Sequence, residues 1–517
     1  MNDTNKLRWG QIYSPADVVH YILTHTIDPT LKRVDVRDVK ILEPACGDGQ
    51  FLVPAYELLA KIYQEQGYSQ ETAAKYVLTN NLYGIDIDET AVDKARQTLA
   101  ACSGIIPLGV CCGNTLQKDH PLEAVPLLAN YFDVVIGNPP YVTWEINSQE
   151  RCYYRKHYQT ARAGKINLYR LFIERAINLL KPGGYLGFIC PNTYLTDHDS
   201  RYLRQLLLEQ THITEITCLP ESVRIFPDIT QATTILIAQK GAPTSKQHCT
   251  SIKTIVEDKR LFQTKELGSI PQSYWQEKTN GAFCMLPKWY GHIEDKICGT
   301  QALSDIAKIY QGEINLTLCK NDLLQRPSQF SFSLVRGRHI IPYGFLPSAE
   351  WGSFSCIEPS RTMRDHALKR RIVLQQVSNM TQTQRLKCGL LEPQEPVYCA
   401  NSTNYILLPN QDLVMYRYIM ALCHSTIWNL LFNLRSSTNH ITVRELAALP
   451  VPICASDKQE HLSDLVKQIM YSPDLTEKLN LEHQINQAVF ALFEIEKPMA
   501  ELITNYCQKY RKRLALF

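Results

Sequence analysis

Residues 132–141 have the sequence Phe132-Asp133-Val134-Val135-Ile136-Gly137-Asn138-Pro139-Pro140-Tyr141. The first six residues are mostly apolar and β-branched and end in glycine, which predicts a short buried strand. The two prolines then end the strand and stiffen the turn, because each fixes its own φ angle and lacks a backbone N–H. We therefore expect a rigid corner, Asn138 to Tyr141, at the carboxyl end of a buried strand.

This corner presents a side-chain amide, a backbone carbonyl outside any helix and an aromatic ring. The Asn138 side-chain oxygen and the Pro139 carbonyl can both accept hydrogen bonds from an exocyclic amine, while Tyr141 stacks on the ring that carries it. The pattern favours methyl transfer onto the amino group of a base. A rigid turn with a buried tyrosine would explain the same residues without any chemistry, so the neighbouring motifs have to decide.

Composition limits the class of protein. The 517 residues are 45% hydrophobic and 20% charged, which is typical of a globular chain of two or three domains. No apolar run approaches the roughly 18 residues of a membrane span, and the N-terminus lacks a signal-peptide core. The 17 cysteines form no C-x-x-C pair, so we expect reduced cytoplasmic thiols, without disulfides or a metal site. A net charge of +3 means that nucleic-acid binding would need a local basic surface.

Strand-like and helix-like segments alternate from about residue 10 to 240, which predicts a parallel sheet with helices on both faces. Ser14-Pro15 is typical of a helix start, with Ser14 as N-cap and Pro15 as the first helical residue. The segment 40–52 then combines a strand, Glu43 at its end, and a turn with Gly47 and Gly49. It has no phosphate-binding motif, and its acidity favours a cationic ligand such as a sulfonium, unless it is an ordinary tight turn.

Two further strand ends carry polar residues. The strand 82–88 contains Asp86, and an acid at this position accepts hydrogen bonds from a ribose diol. The strand-like segment 110–116 contains Asn114, which would bond a cofactor adenine or serve as a turn asparagine. After the proline corner we expect a loop at 143–166, whose interleaved basic and aromatic residues suit phosphate contact and base stacking, or simply solvent. A helix at 167–180 and strands at 185–190, 213–219 and 232–239 complete the unit.

These motifs, in this order, resemble those of the γ-class, TaqI-like adenine-N6 DNA methyltransferases of restriction-modification type. The resemblance covers residues 10 to about 239. It rests on Tyr13-Ser14-Pro15, Leu42-Glu43-Pro44-Ala45-Cys46-Gly47, Gly84-Ile85-Asp86-Ile87-Asp88, Asn138-Pro139-Pro140-Tyr141, Gly164–Phe172, Leu180–Gly184 and Phe226-Pro227.

The resemblance implies a Rossmann-like α/β fold with a mostly parallel seven-stranded sheet, followed by a C-terminal α+β target-recognition domain. It implies an S-adenosylmethionine site at Ser14, Glu43, Ala45, Gly47, Asp86, Ile87, Asn114 and Phe172. Asn138, Pro139 and Pro140 would hold the target amine, and Tyr141 and Phe226 would sandwich the target ring. Asp86 replaces a glutamate of the family pattern and Asn114 an aspartate, and both keep acceptor oxygens.

The second half is less regular. Residues 241–245 look like a linker, and segments beyond residue 302 resemble target-recognition domains less strongly. We expect a catalytic domain at 1–245, a connecting segment at 246–301, and a target-recognition domain at 302–517 that ends in helices. The final basic run, 509–513, is more typical of a solvated helix end than of a DNA contact.

The sequence thus predicts a cytoplasmic, site-specific enzyme that methylates N6 of a flipped-out adenine in double-stranded DNA of the nucleoid. A cognate restriction endonuclease is a candidate partner, whereas a membrane is not. No nuclease-sized segment precedes Gly10, so a fused restriction activity is not expected. The alternatives are a protein-glutamine or RNA methyltransferase, or a catalytically silent DNA-recognition subunit.

Overall fold

The computed structural model describes residues 14–117, 125–141, 148–162, 164–219, 232–241, 248–258, 261–279, 281–284, 286–287, 289–297, 300–316, 323–324, 331–346, 351–353, 360–379, 382, 384–436 and 439–515. The chain divides after Pro287 into two compact units. Within the described ranges, no helix combines the length and the apolar character that crossing a membrane requires.

The first unit contains one large sheet and its flanking helices. In chain order its elements are α1 (Ala16–Leu31), β1 (Ile41–Glu43), α2 (Leu52–Glu65), α3 (Gln70–Tyr76), a π-helical turn (Val77–Asn81), β2 (Leu82–Asp86), α4 (Glu89–Ser103), β3 (Val110–Cys112), β4 (Phe132–Gly137), α5 (Ser148–His157), α6 (Leu168–Leu179), β5 (Leu180–Pro191), α7 (Arg201–Gln210), β6 (Thr211–Leu219), β7 (Thr233–Lys240), β8 (Cys249–Asp258), β9 (Leu261–Pro271) and α8 (Gln272–Glu277).

The strands of this sheet have the order β3-β2-β1-β4-β5-β7-β6-β8-β9. The first five run parallel, and β7 is antiparallel to both of its neighbours. The α/β fold predicted from the sequence is therefore confirmed. Because β1 and β4 are adjacent and parallel, the residues that follow Glu43 and Gly137 meet at one edge of the sheet.

Apolar side chains from both faces of the sheet are buried. Ile41 and Val134 point into one core cluster, which also receives α1, α2 and α4. Their chain neighbours Leu42 and Val135 point into a second cluster, which α6 and α7 complete. Successive side chains of a strand point to opposite faces of the sheet. A strand that is covered on both faces is therefore a continuous apolar run. This explains why the central strands could be predicted.

Two expectations about this unit are wrong. The sheet has nine strands rather than seven, because β8 and β9 add a hairpin beside β6. Much of the expected connecting segment, 246–301, therefore belongs to the first unit. The sequence hides this hairpin for two reasons. β8 buries Ile252 on one face of the sheet and Ile255 on the other. A β-bulge places Leu267 as an extra residue in β9, opposite the step from Ile252 to Lys253. A bulge of this kind hides the alternation by which strands are predicted.

The described part of the expected basic and aromatic loop, 148–162 and 164–166, is largely helical. It contains α5 and a 3₁₀ turn at Gln159–Ala161. Tyr154 and Tyr158 are buried one helical turn apart, so the helix has a packed side that its many charges conceal in the sequence.

The second unit mixes short strands with helices, as expected. Its elements are α9 (Gly291–Ile297), β10 (Gln301–Ala302), α10 (Leu303–Ile306), β11 (Lys308–Gln311), β12 (Leu323–Leu324), β13 (Ser331–Val335), β14 (Ile340–Ile341), β15 (Gly344–Phe345), β16 (Trp351–Ser353), α11 (Arg361–Ala367), β17 (Arg371–Gln375), β18 (Cys388–Leu391), β19 (Val397–Cys399), β20 (Thr403–Leu407), α12 (Leu413–His424), α13 (Thr426–Arg435), α14 (Val443–Ala447), β21 (Pro450–Val451), α15 (Ser456–Tyr471), α16 (Leu475–Leu492) and α17 (Lys497–Ala515).

A buried ion pair lies inside this second unit. The Arg371 guanidinium donates to Glu313 across 2.7 Å, and the two side chains are 0% and 3% exposed. Glu313 also accepts the backbone N–H of Cys399 at 2.7 Å, while Arg371 donates to the Val397 carbonyl. The pair thus joins β17 to β19, which belong to different four-stranded sheets.

Candidate active site

A cavity of about 240 Å³ opens at the carboxyl ends of the parallel strands. Its walls come from the residues that follow β1, β2, β3 and β4, and from one side each of α5 and α6. The lining residues are Ser14, Glu43, Pro44, Ala45, Cys46, Gly47, Asp48, Gln50, Phe51, Asp86, Ile87, Asp88, Thr90, Ala91, Lys94, Gly113, Asn114, Thr115, Leu116, Asn138, Pro140, Glu150, Tyr154, Leu168 and Phe172. All eight residues predicted to bind the cofactor are among them.

Glu43 is the most deeply placed acid of the cavity. Its side chain ends β1 and the residue is 2% exposed. Burial raises the pKa of its carboxyl well above 4.5, and the nearby carboxylate of Asp86 raises it further. Its Oε2 atom is buried and has no hydrogen-bond partner among the described residues. A buried acceptor without a partner is costly, so this oxygen suits a donor or a cation supplied by a ligand.

Gly137 allows Glu43 to reach this position. A Cβ atom at Gly137 would lie 3.4 Å from Cγ of Glu43, and the φ angle of Gly137 is +147°. A side chain there would press on the acid and would require a strained backbone. The glycine that ends β4 therefore lets the acid of β1 lie directly beside the proline corner.

Backbone groups hold Asp86 in place. Its Oδ2 accepts the N–H of Gly47 at 2.8 Å, and its Oδ1 accepts the N–H of Asp88 at 2.9 Å. Burial raises the pKa of Asp86, and these backbone hydrogen bonds oppose the rise. Gly47 has a φ angle of +50°, which glycine adopts without strain. The turn after β1 is thus fixed to the end of β2.

Asn114 lies in the loop after β3 and has two intramolecular partners. Its Oδ1 accepts the N–H of Leu116 at 3.0 Å. Burial raises the pKa of Tyr154, and a hydrogen bond between its hydroxyl and the Asn114 side chain opposes that rise. Phe172 on α6 is 7% exposed, whereas Ile87 after β2 is 48% exposed. These groups form the less acidic part of the cavity wall.

The charges of the lining define the ligand that fits. Five lining residues are acidic and one is basic, and they are Glu43, Asp48, Asp86, Asp88, Glu150 and Lys94. A wall of this kind repels phosphate and attracts cations. The unpartnered Oε2 of Glu43 points to the same conclusion. The residues present therefore fit a ligand with a sulfonium and an ammonium group.

Asn138 enters the cavity from the end of β4. Its Nδ2 donates to Oγ of Ser14 at 3.2 Å, and the N–H of Ser14 donates to Oε1 of Gln50 at 2.8 Å. The expected cap role of Ser14 is wrong, since α1 begins at Ala16 with Pro15 as its N-cap and no side chain caps it. Pro15 already has the extended conformation of an N-cap, and the Ser14 hydroxyl is turned toward Asn138 instead.

The other three residues of the proline corner differ in whether they line the cavity. Pro140 lines the cavity with Asn138, whereas Pro139 and Tyr141 are not part of its lining. The Tyr141 hydroxyl donates to the backbone carbonyl of Ile189 at 3.3 Å, and burial raises its pKa well above 10.0. The ring is half-buried and packs against the core. Phe226, predicted as its stacking partner, lies outside the described residues.

The lining residues that the sequence did not assign to the cofactor site include Gln50, Glu150 and Tyr154. Gln50 accepts from Ser14, and Glu150 and Tyr154 come from α5. The signal for the latter two was their spacing of four residues, which places them on one side of a helix. It was missed because the segment was expected to be a loop.

The sheet order and the acid-lined cavity at the strand ends define a Rossmann-like methyltransferase fold. Residues 80–226 match the family model described as Eco57I restriction-modification methylase. The predicted resemblance to restriction-modification methyltransferases is confirmed by this match and by the curated relatives below.

Several curated relatives are named as Type II methyltransferases. Type II methyltransferase M.XhoI of Xanthomonas vasicola is 28% identical over 249 residues, which cover 47% of this chain and 44% of that protein. Type II restriction enzyme and methyltransferase RM.Eco57I of Escherichia coli is 26% identical over 281 residues, 44% of this chain and 28% of that protein. M.TthHB8I of Thermus thermophilus is 28% identical over 293 residues, 55% and 52% of the two chains. The chain thus spans about half or less of these relatives.

Solved structures extend the likeness to the second unit. The Type IIL restriction-modification enzyme MmeI in complex with DNA has a TM-score of 0.68 at 14% identity, covering 100% of this chain and 80% of that one. The DrdV–DNA complex has a TM-score of 0.55 at 13% identity, covering 91% and 58%. At these identities the likeness shows the fold.

Proposed function

We propose that this protein is a site-specific DNA methyltransferase that transfers a methyl group from S-adenosylmethionine to N6 of adenine. One observation carries the proposal: Asn138 of the proline corner lines the same cavity as Glu43, whose Oε2 has no hydrogen-bond partner among the described residues. An amine-binding amide and a cation-binding acid thereby lie side by side.

The cofactor supplies a methyl group activated by a positively charged sulfur. Glu43 and Asp86 would hold its charged and hydroxyl groups, with Asn114, Ile87 and Phe172 around its adenine. These assignments follow from the acidic wall and from the resemblance. No residue of the described lining needs to act as a covalent nucleophile for this chemistry.

The chain itself would prepare the amine. The exocyclic nitrogen of adenine is a weak nucleophile, because its lone pair is delocalised into the ring. Asn138 Oδ1 and the Pro139 carbonyl would accept its two hydrogens and favour a more tetrahedral nitrogen. Positioning and fixed dipoles of this kind lower a barrier without a strong base. Tyr141 and Phe226 would stack on the ring after it leaves the duplex.

DNA is the proposed substrate because of the relatives. M.XhoI is named as a Type II methyltransferase and RM.Eco57I as a Type II restriction enzyme and methyltransferase, and MmeI and DrdV were solved with DNA. We infer that the second unit reads the target sequence, and that the protein works in the cytoplasm beside a cognate restriction endonuclease. Protein and RNA substrates remain the alternatives that the experiment must separate.

The test compares Asn138→Ala with the wild type and with Asn80→Ala, a half-buried asparagine outside the cavity lining. Purified protein is incubated with S-adenosylmethionine and genomic DNA, and digested nucleosides are analysed by mass spectrometry. We expect N6-methyladenine from the wild type and Asn80→Ala, and a loss of at least about a hundredfold in Asn138→Ala. Calorimetry should give Asn138→Ala a near-normal cofactor Kd.

Two results would contradict the proposal. One is normal adenine methylation by Asn138→Ala. The other is unmodified DNA together with methylated RNA or glutamine in the same extract, produced by wild-type protein that binds the cofactor.

A further inference from the structure

The helix α5 has two sides of different character. Glu150 and Tyr154 lie one turn apart, and both line the cavity. Arg151, Arg155 and Lys156 of the same helix are exposed. One side of α5 therefore faces the ligand site, and the other presents three positive charges to solvent.

The inner side is attached to the loop that follows β3. Tyr154 is 7% exposed and is hydrogen-bonded to the Asn114 side chain. One turn later, the Tyr158 hydroxyl donates to the Leu116 carbonyl at 2.6 Å. Asn114 and Leu116 themselves line the cavity. A ligand that contacts this loop therefore acts directly on the position of α5.

The outer side belongs to a basic stretch of the chain. Residues 148–165 contain five basic residues, Arg151, Arg155, Lys156, Arg162 and Lys165, and the single acid Glu150. Arg162 and Lys165 are also exposed. The whole chain has a net charge of only +3, so this is a local concentration of positive charge. Its chemistry suits the phosphates of a nucleic-acid backbone.

We propose that α5 couples the two ligands of this site, an inference that rests on the proposed function. Its outer side binds backbone phosphates of DNA beside the target base, and its inner side is fixed by the bound cofactor. A cofactor that contacts Asn114 and packs on Tyr154 orders the helix in advance, so that DNA binding costs less conformational entropy. By linkage, DNA then raises cofactor affinity by the same factor.

The first experiment measures phosphate contact. Binding of a fluorescent mixed-sequence duplex is titrated over a range of NaCl concentrations for Arg155→Ala/Lys156→Ala and for the control Lys61→Ala/Lys75→Ala. The control removes the same charge from exposed positions of α2 and α3 that do not line the cavity. The slope of log K against log[salt] is negative. We expect its magnitude to decrease by about 1.8 in the first variant, at about 0.9 per contact, and to stay unchanged in the control.

An unchanged slope in Arg155→Ala/Lys156→Ala would overturn the phosphate contact. If this variant does not fold, as judged by its thermal transition, Arg155→Gln/Lys156→Gln removes the same charges and replaces it in the titration.

The second experiment measures the coupling. S-adenosylhomocysteine should tighten wild-type DNA binding about fivefold or more. Tyr154→Phe removes the hydroxyl that bonds Asn114 and keeps the ring, so at saturating S-adenosylhomocysteine the tightening, relative to the variant's own DNA affinity without cofactor, should fall below about twofold. Equal tightening in both proteins, or none in the wild type, would refute the coupling.

The proposed methylation activity and the proposed coupling through α5 can be contradicted independently. Wild-type protein that forms N6-methyladenine without coupling contradicts only the role of α5. Protein that binds DNA and S-adenosylhomocysteine with coupling, but leaves adenine unmodified, contradicts the proposed function instead.

Discussion

The side-chain amide of Asn138 donates a hydrogen bond to the hydroxyl oxygen of Ser14 across 3.2 Å. This contact joins the proline corner to the residue that precedes α1, more than 120 positions earlier in the chain. It directs Nδ2 of Asn138 toward Ser14, and thereby leaves Oδ1 as the atom that can accept from an amine.

Replacing Ser14 should therefore impair catalysis through Asn138. Ser14→Ala removes one hydrogen bond worth about 1 kcal/mol, so kcat should fall about five- to tenfold. Ser14→Thr keeps a hydroxyl and should restore most of the rate. Steady-state methylation kinetics check both variants, and equal kcat values for alanine and threonine would contradict the orienting role.

Cofactor affinity should depend on the ionisation of Glu43. Burial raises the pKa of this carboxyl above 4.5, so it loses its charge at a higher pH than an exposed glutamate. As the pH falls through the raised pKa, the attraction for a cationic cofactor is lost and Kd increases. Calorimetry over a pH series measures the effect, and Glu43→Gln should bind weakly with a much flatter pH profile. Tight, wild-type-like binding by Glu43→Gln would count against this role.

The Glu43 carboxyl should affect the stability of the apoprotein with the opposite pH dependence. A pKa raised by folding contributes stability that is present below the unfolded value, and this contribution is lost as the pH rises through the folded value. Apoprotein stability from Glu43 should thus decrease with rising pH, while stabilisation by the cofactor increases. Thermal unfolding with and without S-adenosylmethionine should show the difference between the two widening as the pH rises.

Two substitutions of Tyr141 should distinguish the contribution of its ring from that of its hydroxyl hydrogen bond. Tyr141→Phe loses the hydrogen bond to the Ile189 carbonyl, about 1 kcal/mol of stability, and should keep its activity. Tyr141→Ala would also remove the proposed stacking on the target base, about 1–3 kcal/mol, so kcat/KM for DNA should fall about ten- to a hundredfold. Methylation kinetics and urea unfolding measure the two effects. Full activity in the alanine variant would make Tyr141 a core residue only.

The ion pair of Arg371 and Glu313 should be essential for the second unit. Glu313→Gln leaves a buried guanidinium without its counter-charge and should cost about 3–5 kcal/mol of unfolding free energy. The exposed pair of Lys369 and Asp365 provides a control, since Asp365→Asn breaks a pair that solvent screens and should leave the unfolding free energy nearly unchanged. Urea denaturation distinguishes them, and similar losses in both variants would disprove the importance of burial.

The sequence was sufficient for the centre of the sheet and for the polar strand ends that line the cavity. Strands covered on both faces are continuous apolar runs, and polar residues at their ends stand out against them. Glu43, Asp86, Asn114 and Asn138 could all be predicted on that basis, and the structure brings them to one cavity.

Other features could not be predicted because they depend on contacts distant in the chain. The Ser14 hydroxyl has its partner more than 120 residues away, so local capping preferences gave it the wrong role. The extra residue Leu267 interrupts the alternation of β9, and the charges of α5 conceal its buried side. In each case a local sequence pattern was misleading, because the buried positions did not follow the expected spacing or the hydrogen-bond partner was distant in the chain.

The hairpin of β8 and β9 determines where this protein can be divided. A chain cut at residue 245 would leave the backbone of β6 without its neighbour β8, and an uncovered strand edge invites aggregation. Chimaeras that exchange the C-terminal half to change sequence preference should therefore join new modules after Pro287. Joined in that way, the first unit retains all nine described strands of its sheet.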